Sequence, residues 1–91
     1  AIANGVYVAA INRIGLEMPK TGDGADLEFW GGSFVADPFG VVLKEASRTE
    51  EETVIVTCDR RHQEKVRQHW PFLRDRRIDA YGSITRRFID E

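Results

Sequence analysis

The stretch EFWGGSFVADPFGVVLKEA, residues 28–46, decides how this chain folds, because it places two β-rich runs on either side of a turn sequence. The turn reads Asp37, Pro38, Phe39, Gly40. Asp at the first position, Pro at the second and Gly at the fourth are the residues that a type I turn prefers. The pattern therefore predicts a β-hairpin that turns at these four residues.

The run VYVAAINRIG, residues 6–15, precedes the hairpin and is apolar on both alternating faces up to Ile11. This pattern is typical of a strand that is covered on both sides, so a central strand is predicted here. Residues 15–27 are rich in glycine and acidic residues and predict a loop. Residues 1–5, AIANG, resemble the last turn of a helix that ends at Asn-Gly, so we expect the chain to start in mid-helix.

The only cysteine of the chain, Cys58, lies in the run VIVTCDRRH, residues 54–62. A thiol beside an acid, two arginines and a histidine raises the question of a nucleophilic site. Strand alternation over residues 53–58, however, puts Cys58 on the same face as Val54 and Val56. Free cysteine is among the most buried residue types, so the pattern favours a further strand with a buried, structural Cys58.

Asp59 stands where the N-cap of a helix is expected, since its carboxylate can accept backbone N–H groups of the first turn. The predicted helix covers residues 60–70 and is closed by Pro71. Its inward stripe is thin and consists of His62, Val66, Trp70 and Leu73. Residues 71–91 are charged and poorly periodic, which predicts an extended tail that packs on another surface. The apolar anchors of this tail are Ile78, Tyr81, Ile84 and Phe88.

With 91 residues, of which 42% are hydrophobic and 31% charged, the chain is expected to form one unit spanning residues 1–91. A single Cys and two His exclude an intramolecular disulfide and leave no recognisable zinc spacing, and we expect no cofactor. No apolar run reaches membrane-spanning length, and the first residues do not resemble a signal peptide. We therefore expect a cytoplasmic protein with no membrane partner.

The two parts of the chain differ in charge, with −6 over residues 1–59 and +4 over residues 60–91. Basic residues interleaved with aromatic ones would suit a nucleic-acid surface, and this function stays open as an alternative. The acids among those arginines favour mutual compensation instead, since nucleic-acid patches concentrate one sign of charge. We expect no nucleic-acid partner, and a second alternative is an oligomerisation piece without chemistry.

Three segments, NGVYVAAINRIG, EFWGGSFVADPFG and HWPFLRDRRIDAYG, resemble the C-terminal third of the nitrilase, or carbon–nitrogen hydrolase, superfamily. The Gly-Ser ahead of a D-P-x-G turn is shared across that superfamily, whereas WPFLRDRRIDAYG resembles the branch of N-carbamoylputrescine amidohydrolases. The resemblance implies an α/β fold in which this chain is the C-terminal portion of an α-β-β-α sandwich. It also implies a homo-oligomer, with residues 71–91 used in subunit assembly.

The chemistry that the resemblance implies is hydrolysis of a small N-carbamoyl amine in polyamine biosynthesis. In the family a Cys thiolate attacks the ureido carbonyl, a Glu acts as base and a Lys stabilises the oxyanion. Ammonia leaves, and water then releases putrescine and carbon dioxide. All three catalytic residues lie upstream of the part that this chain resembles. We therefore expect no catalytic residue here, no activity of the chain alone, and dependence on a missing N-terminal part of the same protein.

The candidate substrate-binding residues follow the predicted central strand. Asn12 and Arg13 end that strand, and strand ends and the loops after them line the pockets of α/β sandwiches. The implied substrate has a distal ammonium, which a carboxylate or an aromatic face would bind. Glu17, Glu28 and Trp30 lie in the region after the strand and complete the predicted set, which includes no metal ligand.

Overall fold

A computed structural model describes residues 1–88. Within these residues the strands are β1 Val8–Ala10, β2 Ile14–Glu17, β3 Leu27–Trp30, β4 Phe34–Ala36 and β5 Val42–Glu45. Two α-helices follow, α1 Arg60–His69 and α2 Phe72–Asp75. Short 3-10 turns lie at Ile2–Asn4, Ile78–Ala80 and Gly82–Thr85. The described chain is thus a mixed α/β structure.

The predicted hairpin is confirmed. Strands β4 and β5 pair antiparallel, with Phe34 opposite Glu45 and an irregularity between Val35 and Ala36. The Asp37 carboxylate accepts the backbone N–H groups of Phe39 and Val41, both at 2.9 Å. The N–H of Gly40 donates to the Asp37 carbonyl at 2.9 Å, which closes the turn. The aspartate therefore holds the turn through both its backbone and its side chain.

Strand β1 is an edge strand within residues 1–88, so the prediction of a central strand covered on both sides is wrong for this part of the chain. It pairs antiparallel with β4, and the sheet order is β1-β4-β5. Ala9 is exposed, and Ile11 after the strand is 91% exposed. An apolar pattern reports which side chains avoid water, but it does not say which segment covers them.

The predicted loop over residues 15–27 is wrong at both ends, because β2 and β3 pair there as a two-stranded antiparallel ribbon. Its register places Ile14 opposite Trp30 and Glu17 opposite Leu27. Glycine and glutamate are poor strand formers, so residues 14–17 show little strand propensity on their own. Backbone pairing with β3 forms the strand here, and residues 18–26 connect the two strands.

Helix α1 begins as predicted, with the Asp59 carboxylate accepting the N–H of Arg61 at 2.8 Å. Its inward stripe is shorter than predicted. Val66 is buried and His62 is half-buried, but Trp70 and Leu73 are 56% and 73% exposed. Within residues 1–88, no helix is long and apolar enough to span a membrane.

The further strand predicted over residues 53–58 does not form within the described residues. Val54 and Val56 are half-buried as the alternation predicts, but the segment pairs with no neighbouring strand. Cys58 is exposed, so its predicted burial is wrong in this structure. Alternation alone forms no strand, because the backbone N–H and C=O groups need a partner in a sheet.

The tail is less extended than predicted, because residues 71–88 contain α2 and two 3-10 turns. Short-range backbone bonds form these turns, such as the N–H of Ile84 to the carbonyl of Tyr81 at 3.0 Å. The four predicted anchors are exposed, and Phe88 is the most exposed of them at 75%. The last three residues of the predicted tail, 89–91, lie outside the described part of the chain.

The described chain is flat and buries little apolar surface. Its radius of gyration is 20.3 Å and its extents are 56 × 44 × 13 Å, whereas a compact domain of this length has a radius of about 12 Å. The buried side chains are Ala36, Asp37, Pro38 and Val66. Burial is therefore concentrated where the hairpin turn meets α1, and most of the sheet surface is open.

Candidate functional site

An open groove of about 670 Å³ lies where β1 ends. Its walls are the residues that follow β1, the start of β4, and the segment from residue 46 to residue 54 after β5. Loops that follow strand ends are where α/β proteins commonly bind ligands. Asn12 and Arg13, both predicted from the sequence, line this groove.

Two linkers run side by side at one wall of the groove, and we call residues 12–13 and 31–33 together the neck. The neck joins the β2–β3 ribbon to the three-stranded sheet. Ser33 Oγ accepts the N–H of Asn12 at 2.8 Å and donates to the Asn12 carbonyl at 3.1 Å. The Asn12 side-chain amide donates to the Gly31 carbonyl at 2.8 Å, and the Gly31 N–H donates to the Arg13 carbonyl at 2.9 Å.

Arg13 and Glu17 are brought together, but as a pair with each other. The guanidinium lies 2.7 Å from the Glu17 carboxylate and 4.4 Å from the centre of the Phe29 ring. Both side chains are more than half exposed, so this pair contributes little to stability. Because the Glu17 carboxylate is already paired with the Arg13 guanidinium, it is less available to bind a cationic ligand.

Glu28 and Trp30 lie on the other face of the ribbon. Side chains alternate along a strand and directly opposed residues share a face, so Ile14, Leu16, Glu28 and Trp30 are on one side. Trp30 is 64% exposed and Arg48 lies 5.8 Å from its ring centre. Ile14, which shares this face, lines the groove. The predicted set is therefore divided between two faces.

The sequence interpretation missed three acidic residues that line the groove, Glu50, Glu51 and Glu52. The Ser47 hydroxyl accepts the N–H groups of Thr49 at 3.1 Å and Glu50 at 3.0 Å. The Glu52 carboxylate accepts the N–H of Ser47 at 3.0 Å. The signal was present in SRTEEE, since a serine two to three residues before such N–H groups is typical of a serine turn.

A second cluster that the sequence interpretation missed joins the hairpin to α1, and we call Tyr7, Asp37, Phe39 and His62 the junction. His62 Nε2 lies 3.3 Å from Asp37 Oδ2, and the rings of Tyr7 and Phe39 flank the imidazole. The Tyr7 hydroxyl accepts the N–H of Asp59 at 3.0 Å and donates to its carbonyl at 3.2 Å. The junction lies away from the groove and holds the packed part of the chain together.

The pKa of Asp37 is lowered by the hydrogen bonds that its carboxylate accepts in the hairpin turn and at the junction. Burial by itself would raise it, but hydrogen bonds from the backbone of Val41 and Phe39, together with His62, hold this pKa below its ordinary value. The carboxylate is therefore kept charged in the folded chain. It acts as a structural acceptor in this arrangement, because it is only 8% exposed.

Cys58 has no catalytic surroundings in this structure. It is exposed, it lies outside the groove, and Asp59 next to it already caps α1. Among residues 1–88, no three or more His, Cys, Asp or Glu side chains are grouped so that they could hold a metal ion.

The chain is a mixed α/β structure with an open groove at the end of β1, and comparison with known proteins gives the family. The family model for carbon-nitrogen hydrolases matches residues 1–68. The chain is 38% identical over 80 residues to an N-carbamoylputrescine amidase of Oryza sativa subsp. japonica, covering 87% of this chain and 27% of that protein. It is 32% identical over 88 residues to a citrullinase of Francisella tularensis subsp. tularensis, covering 97% and 30%.

A crystal structure of a carbon-nitrogen hydrolase from Helicobacter pylori G27 is similar in fold, with a TM-score of 0.72 and 41% sequence identity. That similarity covers 97% of this chain and 30% of the other. The chain therefore belongs to the carbon–nitrogen hydrolase family. It spans 27% to 30% of the length of these relatives.

Proposed function

We propose that this chain is part of a longer carbon–nitrogen hydrolase that converts N-carbamoylputrescine to putrescine, ammonia and carbon dioxide in polyamine synthesis. The observation that carries this proposal is the similarity to N-carbamoylputrescine amidases across 87% of the chain. The open sheet and the radius of gyration of 20.3 Å support a chain whose apolar surface is covered by further protein.

In the proposed enzyme the three-stranded sheet belongs to an α-β-β-α sandwich. A sandwich buries the inner faces of two sheets against each other, which would cover side chains such as Val42, now 53% exposed. The tail, residues 71–91, is proposed to contact a neighbouring subunit. Exposed apolar anchors separated by arginines and aspartates suit the core and rim of an assembly interface.

The groove is proposed to be one wall of the substrate pocket, with Asn12 and Arg13 at its edge. The catalytic Cys, Glu and Lys of the family would be supplied by the rest of the enzyme. Three glutamates and one arginine line this groove, and their net negative charge would attract a cationic substrate. Citrullinase activity is the second candidate, but citrulline also carries a carboxylate, which the same acids disfavour.

Glu28 and Trp30 are proposed to bind the distal ammonium of the substrate. They lie two residues apart on one ribbon face, so a carboxylate and an aromatic ring stand side by side. Such a combination binds a cation through charge and through the ring face. Glu17 is the matched control, because Arg13 already neutralises it at 2.7 Å.

The proposed function is tested by measuring ammonia release from N-carbamoylputrescine, citrulline and uncharged N-carbamoylbutylamine. We expect the complete enzyme to prefer N-carbamoylputrescine and the 91-residue chain alone to release none. A preference for citrulline would replace the proposed substrate. Turnover by the chain alone, abolished by thiol alkylation, would contradict both the proposal and the expectation that Cys58 is not a catalytic nucleophile.

The same assay tests the ammonium site. Glu28→Gln is expected to raise the KM for N-carbamoylputrescine about tenfold, which corresponds to about 1.4 kcal/mol. The KM for N-carbamoylbutylamine should hardly change, since that molecule has no ammonium. Glu17→Gln should affect both substrates equally. If Glu28→Gln also affects both equally, the ammonium lies elsewhere.

A further inference from the structure

The neck contains the only connections of the β2–β3 ribbon to the sheet along the chain. Residues 12–13 lead into the ribbon and residues 31–33 lead out of it. The ribbon strands pair with each other and not with the three-stranded sheet. The angle of the ribbon to the groove is therefore determined mainly by how the two linkers are held against each other.

Two side chains tie these linkers together. Ser33 uses its single hydroxyl twice, as acceptor from the N–H of Asn12 and as donor to its carbonyl. The Asn12 amide spans the linkers by donating to the Gly31 carbonyl, while its Oδ1 accepts the N–H of Arg13 at 2.9 Å. Both polar ends of the Asn12 side chain thus have partners inside the neck.

The neck is tied to the sheet as well. The Ser33 carbonyl accepts the N–H of Ala46 at 2.6 Å, directly after β5. Gly31 and Gly32 adopt φ angles of 59° and 75°, which turn the chain sharply between ribbon and sheet. The ribbon can rotate only little about the neck, because side-chain and backbone hydrogen bonds hold the same few residues.

We infer that Asn12 and Ser33 are positioning residues, whose hydrogen bonds across the neck hold the ribbon at the groove and so control substrate binding without contact to the substrate. This inference rests on the proposed function for its binding part, since Glu28 and Trp30 are carried by the ribbon. It assigns Asn12 a role different from that of a substrate ligand.

The test compares Ser33→Ala, Asn12→Ala and Ser33→Thr in the complete enzyme. Ser83→Ala is the matched control, because Ser83 lies in the distant turn Gly82–Thr85. Hydrogen exchange is measured for the ribbon amides, residues 14–17 and 27–30, and for the hairpin strands. KM and kcat for N-carbamoylputrescine are measured on the same samples.

Ser33→Ala and Asn12→Ala each remove two hydrogen bonds of the neck. In both variants we expect ribbon amides to exchange about fivefold faster and KM to rise about fivefold. Exchange in the hairpin strands and kcat should stay close to wild type. Ser33→Thr keeps the hydroxyl and should restore both ribbon exchange and KM. Ser83→Ala should change none of these quantities.

Either unchanged ribbon exchange or an unchanged KM would overturn the inference. Unchanged ribbon exchange would show that the neck does not hold the ribbon. A raised KM with unchanged exchange would make Asn12 and Ser33 direct ligands, and faster exchange with unchanged KM would remove their role in binding. If the wild-type enzyme hydrolyses no ureido compound, the proposed function fails. Hydrogen exchange of the ribbon amides still tests whether the neck holds the ribbon.

Discussion

The junction and the neck are both small hydrogen-bonded clusters, but they hold the chain in different ways. At the junction, Tyr7 and side chains of the hairpin turn and α1 meet near buried Pro38 and Val66. At the neck, two linkers meet through Asn12, Ser33 and two glycines, beside a groove open to solvent. The junction is packed, whereas the neck depends on directed hydrogen bonds.

The difference suggests a division of tasks. Packed contacts lose stability gradually when atoms are removed, because the surroundings partly relax. A joint held by a few directed hydrogen bonds has little packing to keep its geometry when one of these bonds is removed. We therefore expect removal of hydrogen bonds at the neck to affect the ribbon and substrate affinity, and removal of contacts at the junction to affect stability. Substitutions that add atoms at the neck glycines are a separate case, because they introduce steric overlap and backbone strain.

The largest expected effect comes from Gly31→Ala at the neck. A Cβ there would lie 2.5 Å from Ile14 Cγ2 and 2.9 Å from the Ser47 carbonyl, at a φ of 59°. We expect a loss of about 3 kcal/mol of unfolding free energy from steric overlap and backbone strain. Gly32→Ala has nothing closer than 3.4 Å, so only its φ of 75° is strained and about 1 kcal/mol should be lost. Urea unfolding of both variants in the complete enzyme measures this, and equal losses would contradict it.

A smaller effect, dependent on pH, is expected for Asp37→Asn at the junction. Because the folded-state pKa of Asp37 is lowered, its contribution to stability is complete above the ordinary carboxyl pKa and is lost as the pH falls through the folded value. The difference in thermal midpoint between wild type and Asp37→Asn should be constant from pH 5 to 6 and should shrink below about pH 4. A difference that grows on acidification would contradict the assigned charge.

The smallest effect is expected for Cys58→Ser, which lies in neither cluster. Because Cys58 is exposed, the change should alter the unfolding free energy by less than about 0.5 kcal/mol. An aromatic disulfide reagent should react with this thiol in the native 91-residue chain as fast as with a free thiol. Slow labelling that becomes fast only in denaturant would show that the thiol is covered.

Local signals in the sequence predicted the elements that local chemistry forms. The turn at Asp37, the cap at Asp59 and the helix end before Pro71 each depend on residues within a few positions of one another. The family was likewise predicted from three quoted segments, and the family model confirms it. Asn12 and Arg13 line a groove at the end of β1, and their role in substrate binding stays a prediction.

Elements that depend on distant partners could not be read in the same way. The pairing of β2 with β3 joins residues up to 16 positions apart, from Ile14 to Trp30, and involves two strands of only four residues each. The segment over residues 53–58 alternates like a strand but has no ladder partner among residues 1–88. Glu17 and Glu28 looked equivalent as loop acids, and only the ribbon register separates them.

The sequence by itself determined the hairpin and the capped helix, because these follow from backbone preferences and short-range hydrogen bonds. The family was predicted from the resemblance of three segments to known proteins, and not from these local preferences. The tertiary structure decided which side chains meet across the chain. His62 contacts Asp37, and Arg13 pairs with Glu17. Glu28 and Trp30 lie on the opposite face of the ribbon from Glu17. Asn12 is hydrogen-bonded to Ser33. Such contacts depend on strand register and on the path of the linkers, which no local pattern of residues encodes.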